Sequence, residues 1–102
     1  MQLAGFNTIL KGLLITVVFT MSACETAPPV QEMSDARQAI AVAREAGAAE
    51  HAAFHLKAAE DYLESAEQAL SDHSYTEARR DAKQAKAKAL DALKASESEA
   101  DN

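Results

Sequence analysis

The 102-residue chain has no Trp, one Cys, three Gly and two Pro, and only 5% of its residues are aromatic. Each scarcity excludes something. A single Cys cannot pair within the chain, so a disulfide framework is excluded. Few Gly and Pro leave little turn chemistry, which excludes an all-β fold and favours long helices. Positive charge is also in the minority, with 10 basic against 16 acidic residues, so nucleic acid is not the expected partner. The length allows one small domain and excludes a two-domain enzyme.

What the chain does contain is alanine, 24 residues in all. Much of the 48% hydrophobic fraction is therefore methyl groups, not core-filling side chains.

The first 24 residues read as an address. Residues 1–11 carry Lys11 and no acid, and a ten-residue apolar run, Gly12 to Met21, follows. About 20 residues are needed to span a bilayer, so this run is too short for an anchor. It has the length of a secretory-signal core. Small Ser22 and Ala23 come next, and then the sole Cys. An ordinary signal peptide with an incidental Cys is the plainer alternative. Met21-Ser22-Ala23-Cys24 resembles a bacterial lipobox. The resemblance implies cleavage between Ala23 and Cys24, a diacylglycerol thioether on Cys24 and acylation of the new amino terminus. Two or three acyl chains hold a protein on a membrane where one does not. Glu25 follows the Cys. By analogy with Gram-negative lipoproteins, where Asp at that position favours inner-membrane retention, the outer membrane is expected, with the body in the periplasm.

Cleavage after Ala23 leaves 79 residues with 9 bases and 16 acids, a net charge of −7. Pro28-Pro29 disfavours helix for itself and for Ala27, so residues 24–33 read as an extended tether. Ser34-Asp35 is the expected N-cap of a first helix over 34–46, with Ala36, Ala39, Ile40, Ala43 and Ala46 on one face and Gly47 as its stop. Leu56, Ala59, Leu63, Ala66 and Leu70 step by three and four, a heptad seam that predicts a second helix over 51–71, with Tyr62 and Ala69 widening the stripe. Ser74-Tyr75-Thr76-Glu77 reads as a capping box. Ala78, Ala82, Ala85, Ala89 and Ala92 then predict a third helix over 75–95, before a polar tail at 96–102.

The expected fold is all-α: an antiparallel hairpin of the two long helices with a shorter N-terminal helix. The second helix is acidic and the third basic, so attraction between them is expected to support the pairing. Large apolar residues are few, which predicts a thin core and modest stability.

Ala36-Arg37-Gln38-Ala39-Ile40, Ala46-Gly47-Ala48, the run Ala58 to Ala66 and Ser74 to Arg79 together resemble the domain of unknown function 4398. That family consists of small helical domains of bacterial envelope lipoproteins, some preceding an OmpA-like peptidoglycan-binding domain. The resemblance implies fold and location, and carries no catalytic residues with it. Members often have a Pro before the second helix, where this chain has Ala53-Phe54. A weaker resemblance is to the Ala-rich murein lipoproteins, some of which join peptidoglycan through a C-terminal Lys. The last Lys here is Lys94, so no covalent peptidoglycan link is expected.

Candidates for chemistry are sparse. His51 and His55 are four apart and would share one side of a helix, with Glu50 as a third metal ligand. The stretch lacks the Glu that a zincin uses as base. His73 falls in a turn and reads as solvated. Glu60, Asp61, Glu64 and Glu67 read as a solvated helix face before they read as catalytic carboxylates. Arg79, Arg80, Lys83, Lys86 and Lys88 read as the complement of the acidic helix, or as a contact for anionic lipid or peptidoglycan. No Ser/His/Asp arrangement or phosphate-cradling Gly loop is present. The sequence thus points to a membrane-tethered, non-enzymatic, cofactor-free module that binds an envelope protein or itself. A small-ligand or metal module at His51/His55 is the alternative.

Overall fold

A computed structural model of the chain describes residues 27–101. The signal segment, Ala23 and the Cys24 lipidation site lie outside the described residues. The described chain is helical throughout: α1 is Val30–Glu45, α2 Ala48–His51, α3 Ala53–Ser71 and α4 Tyr75–Ala100.

Helix α1 begins four residues earlier than the Ser34-Asp35 cap predicts, so the tether is correspondingly shorter than residues 24–33. Pro29 precedes it directly, where a missing N–H costs nothing, and its carbonyl accepts the Met33 N–H at 3.0 Å. The cause of the extra turn is Met33. It is 2% exposed and forms one buried stripe with Ala36, Ile40 and Ala43. Met33 and Ala36 are the first step of three on that stripe. Ser34 and Asp35 are consequently inside the helix, where the Asp35 carboxylate accepts from Gln31 Nε2 at 2.9 Å. Ala46, expected on the buried face, is exposed.

Gly47 ends α1 as expected. Its φ is +89°, and its N–H donates to the Arg44 carbonyl at 3.0 Å. The next segment is not one helix over 51–71. A single turn, α2, is separated from α3 by Ala52, whose φ of −145° and ψ of 40° are non-helical. Alanine has no intrinsic reason to break a helix. Here tertiary packing overrides propensity, because Ala48 and Ala52 are both buried with Ile40 and Leu56.

Helices α3 and α4 form the antiparallel hairpin. Their connection is a Schellman motif: Ser74 N–H donates to the Ala69 carbonyl at 2.8 Å and His73 N–H to the Leu70 carbonyl at 3.1 Å. His73 takes the left-handed position, φ 61°, that glycine usually fills. The predicted capping box does not form, since no side chain caps α4 at Ser74.

The alanine seam of α4 is the spine of the fold. Ala78, Ala82, Ala85, Ala89 and Ala92 are all fully buried. Both other long helices pack on this helix. Met33 of α1 and Ala66 of α3 cluster with Ala82, while Ile40, Ala43, Leu56 and Ala59 cluster with Ala89 and Ala92. Methyl-sized side chains let axes approach to the near end of the usual 8–10 Å range. On α3, Leu56, Ala59, Ala66 and Ala69 are buried, with Leu63 and Leu70 partly so. Tyr62 sits at the exposed edge and does not widen the core.

The seam also continues one step beyond Ala92. Ser96, placed by its polarity in a tail, is fully buried, and its Oγ donates to the Ala92 carbonyl at 2.8 Å. A hydroxyl satisfied within its own helix can be buried at little cost. Helix α4 therefore runs on to Ala100, through most of the expected polar tail.

Candidate functional site

Helix α1 runs antiparallel to α3 and parallel to α4, and this up-down-up order sets which charges meet. Arg37 pairs with Glu67 at 3.4 Å, and Arg44 pairs with Glu60. Both join α1 to α3. From α4, Arg79 Nε donates to Glu32 at 3.2 Å, and Lys86 Nζ lies 4.0 Å from Asp35. Both of these join α4 to α1. Lys57 and Arg80 pair within their own helices, with Asp61 and Asp81. Among the described residues no ion pair joins the acids of α3 to the bases of α4. The expected attraction between those two helices is thus replaced by a different one. The mixed-charge helix α1 answers both neighbours, because the α3–α4 interface is filled by Ala and Leu.

Among the described residues, one side-chain hydrogen bond links α3 to α4. Ser65 Oγ donates to Asp81 Oδ2 at 2.9 Å, and Asp81 is 7% exposed within a row of alanines.

The candidate metal pair does not share a helix. His51 closes α2 and is exposed, while His55 is in the first turn of α3 and half-buried. Ala52 between them interrupts the 3.6-residue periodicity on which their common face depends. Among the described residues no three His, Cys, Asp or Glu side chains converge. His55 instead meets the exposed Phe54 ring edge-on, with centroids 5.7 Å apart.

The carboxylates Glu60, Glu64 and Glu67 do line a concavity. An open groove of about 320 Å³ runs between α1 and α3, with Ile40 and Leu63 as its floor and Arg37 and Arg44 on the opposite wall. Glu60 and Glu67 are taken up by those guanidinium groups. A second groove, of about 220 Å³, lies between α1 and α4. It is lined by Ala39, Val42, Leu90 and Leu93, with Asp35 and Lys86 at its side. Val42 and Leu90, although large and apolar, are more than two-fifths exposed. Their positions hold the clue, since each sits one residue off the seam of its helix, beside Ala43 and Ala89.

One feature near the amino terminus was not legible from the sequence. Arg79 is half-buried and holds two groups at once. Its Nη2 donates to the Ala27 carbonyl at 2.9 Å while its Nε donates to Glu32. The start of the described chain is thereby clasped to the first turn of α4. Pro29, which lies between Ala27 and Glu32 in the chain, is fully buried. No helix among the described residues is long and apolar enough to cross a membrane.

No curated protein and no solved structure shows a significant match to the chain. The profile of the family described as Domain of unknown function (DUF4398) matches residues 31–102, which spans all four helices except the first residue of α1. The helical pattern and the profile agree, and the chain belongs to the DUF4398 family.

Proposed function

We propose that the chain is a bacterial lipoprotein, held in the outer membrane by acyl chains on Cys24, whose helical body serves in the periplasm as a structural or protein-interaction module. The observation that carries this reading is the sequence Met21-Ser22-Ala23-Cys24 at the end of a short apolar run. A peptidase needs small side chains beside its cut, and a thiolate is the side chain best suited to alkylation. Glu25 in place of Asp supports the outer membrane over the inner one.

The body supports a binding role more than a chemical one. The grooves beside α1 are open to solvent. The one between α1 and α4 offers exposed Val42 and Leu90 beside an Asp35–Lys86 pair, the mixture of apolar contact and charge that protein surfaces use to dock.

Growth with a labelled fatty acid, followed by membrane fractionation, tests the proposal. The protein is expected to carry label and to sediment with the outer membrane, and Cys24→Ala is expected to abolish both. Unlabelled wild-type protein, or label that survives Cys24→Ala, would overturn it.

A further inference from the structure

We propose that the acylated protein meets the bilayer through one particular end of its bundle, the end carrying the α3–α4 turn, and that Arg79 enforces this orientation. The inference rests on the lipoprotein reading above and adds a lipid-headgroup contact surface to it.

The argument begins with the clasp. Arg79 holds the Ala27 carbonyl and Glu32 together, so the chain is fixed to the body from residue 27 onward. Three peptide steps separate Cys24 from Ala27. At about 3.6 Å per residue they reach no farther than about 11 Å. Acyl chains on Cys24 would therefore be tied within that reach of Ala27, at the end of the body that carries the first turn of α4 and the Asp72-His73-Ser74 connection. Because α1 starts at Val30 and Pro29 is buried, the chain without the clasp would be free only up to Pro29, five steps or about 18 Å on the same scale. The clasp shortens this to the three steps before Ala27.

Helix α3 sets the distance to the other end. Its 19 residues span about 29 Å, so Phe54 and the α1–α2 connection are carried that far from the turn. Phe54 is 83% exposed, and without the clasp it would be the natural residue to insert into lipid. In this orientation it points away from the bilayer.

Charge favours the same arrangement. The far end of α4 carries Glu97, Glu99 and Asp101, with no base after Lys94. An anionic surface repels such an end. The near end carries Arg79 and Arg80 along with the acids Glu32, Asp72 and Glu77, a mixed set with no comparable surplus. It also carries Tyr75, whose ring lies 5.9 Å from that of His73. Rings with a polar tip suit the headgroup layer. With a net charge of −7 on residues 24–102, lying flat on an anionic bilayer is disfavoured.

The test uses full-length protein processed by a bacterial host and reconstituted in phosphatidylethanolamine–phosphatidylglycerol vesicles. Acylation consumes Cys24, so one introduced thiol can be labelled with a fluorophore: Thr76→Cys at the near end or Ser98→Cys at the far end. Both positions are exposed. A fraction of the lipids carries a nitroxide on the headgroup as quencher. Strong quenching at position 76 and none at position 98 is expected. In Arg79→Gln the protein should still float with the vesicles, but the contrast between the two positions should shrink. Vesicle-bound protein quenched equally at both positions, or more at 98, would overturn the orientation. A contrast untouched by Arg79→Gln would overturn the clasp as its cause. Protein that fails to float and keeps a free Cys24 would instead overturn the lipoprotein reading itself.

Discussion

Asp81 is buried in a row of alanines on α4, and the one group that α3 offers it is the hydroxyl of Ser65, at 2.9 Å. The buried neighbours that α3 contributes are apolar: Leu56, Ala59, Ala66 and Ala69. A carboxylate in such surroundings depends heavily on each partner it has, because removing one leaves a poorly solvated acceptor.

The first prediction follows from that dependence. Ser65→Ala should destabilise the protein by about 1–2 kcal/mol, more than its small change in volume accounts for. In the Asp81→Ala background the same substitution should cost almost nothing, because the stranded carboxylate is gone. Urea denaturation of the four variants of this cycle gives the coupling directly. Additive effects would show that the Ser65–Asp81 bond contributes little.

The alanine seam gives the second. Ala85 and Ala87 are two residues apart on α4, yet the first is fully buried and the second exposed. Ala85→Leu adds three carbons where two helices approach on methyl contacts, and overpacking of this kind costs about 1–3 kcal/mol. Ala87→Leu keeps high helix propensity and should stay within about 0.5 kcal/mol of wild type. Thermal unfolding followed by circular dichroism separates the two. Equal effects would mean that the helices are not packed at alanine distance.

Two left-handed residues supply the third. His73, at φ 61°, sits where a non-glycine residue is strained by about 1–2 kcal/mol. Glycine relieves that strain and returns part of the gain as chain entropy. His73→Gly should therefore raise stability by about 0.5–1 kcal/mol, since the Schellman bonds it supports are backbone bonds. Gly47→Ala should do the reverse. It forces a Cβ into φ +89°, 3.3 Å from His51 Cδ2, and should cost more than about 1 kcal/mol. Opposite shifts in melting temperature are the expected readout.

The seams were legible in the sequence because alanine and leucine at steps of three and four leave few alternatives for a helical face. The same reasoning reached Gly47, whose conformational freedom marks a stop. It failed where the deciding contact is remote. Met33 looks like tether until Ala66 and Ala82 are placed against it. Ser96 looks like tail until its hydroxyl turns back on Ala92. Ala52 carries no local sign of a helix break, so the separation of His51 from His55 was invisible. The Arg79 clasp joins residues 52 apart in the chain and could come only from the fold. Cys24 is the converse case, a residue read from local sequence alone.

The fourth prediction concerns the charges, where counting acids and bases per helix suggested the wrong pairing. If α1 holds the acids of α3, coupling should appear between Arg44 and Glu60 and be absent between Glu60 and the lysines of α4. Both partners are about half exposed, so the coupling is expected at about 0.2–1 kcal/mol, weakening as salt shortens the screening length. Arg44→Glu should destabilise by placing two carboxylates together, and adding Glu60→Arg should recover most of that loss. Lys83→Glu should leave the Glu60→Arg variant unaffected, because Lys83 is exposed and no ion pair joins α3 to α4 among the described residues. Double-mutant cycles in low and high salt check all three. Rescue of Glu60→Arg by Lys83→Glu, in place of rescue by Arg44→Glu, would mean that the basic face of α4 pairs with α3 and that α1 docks without electrostatic help.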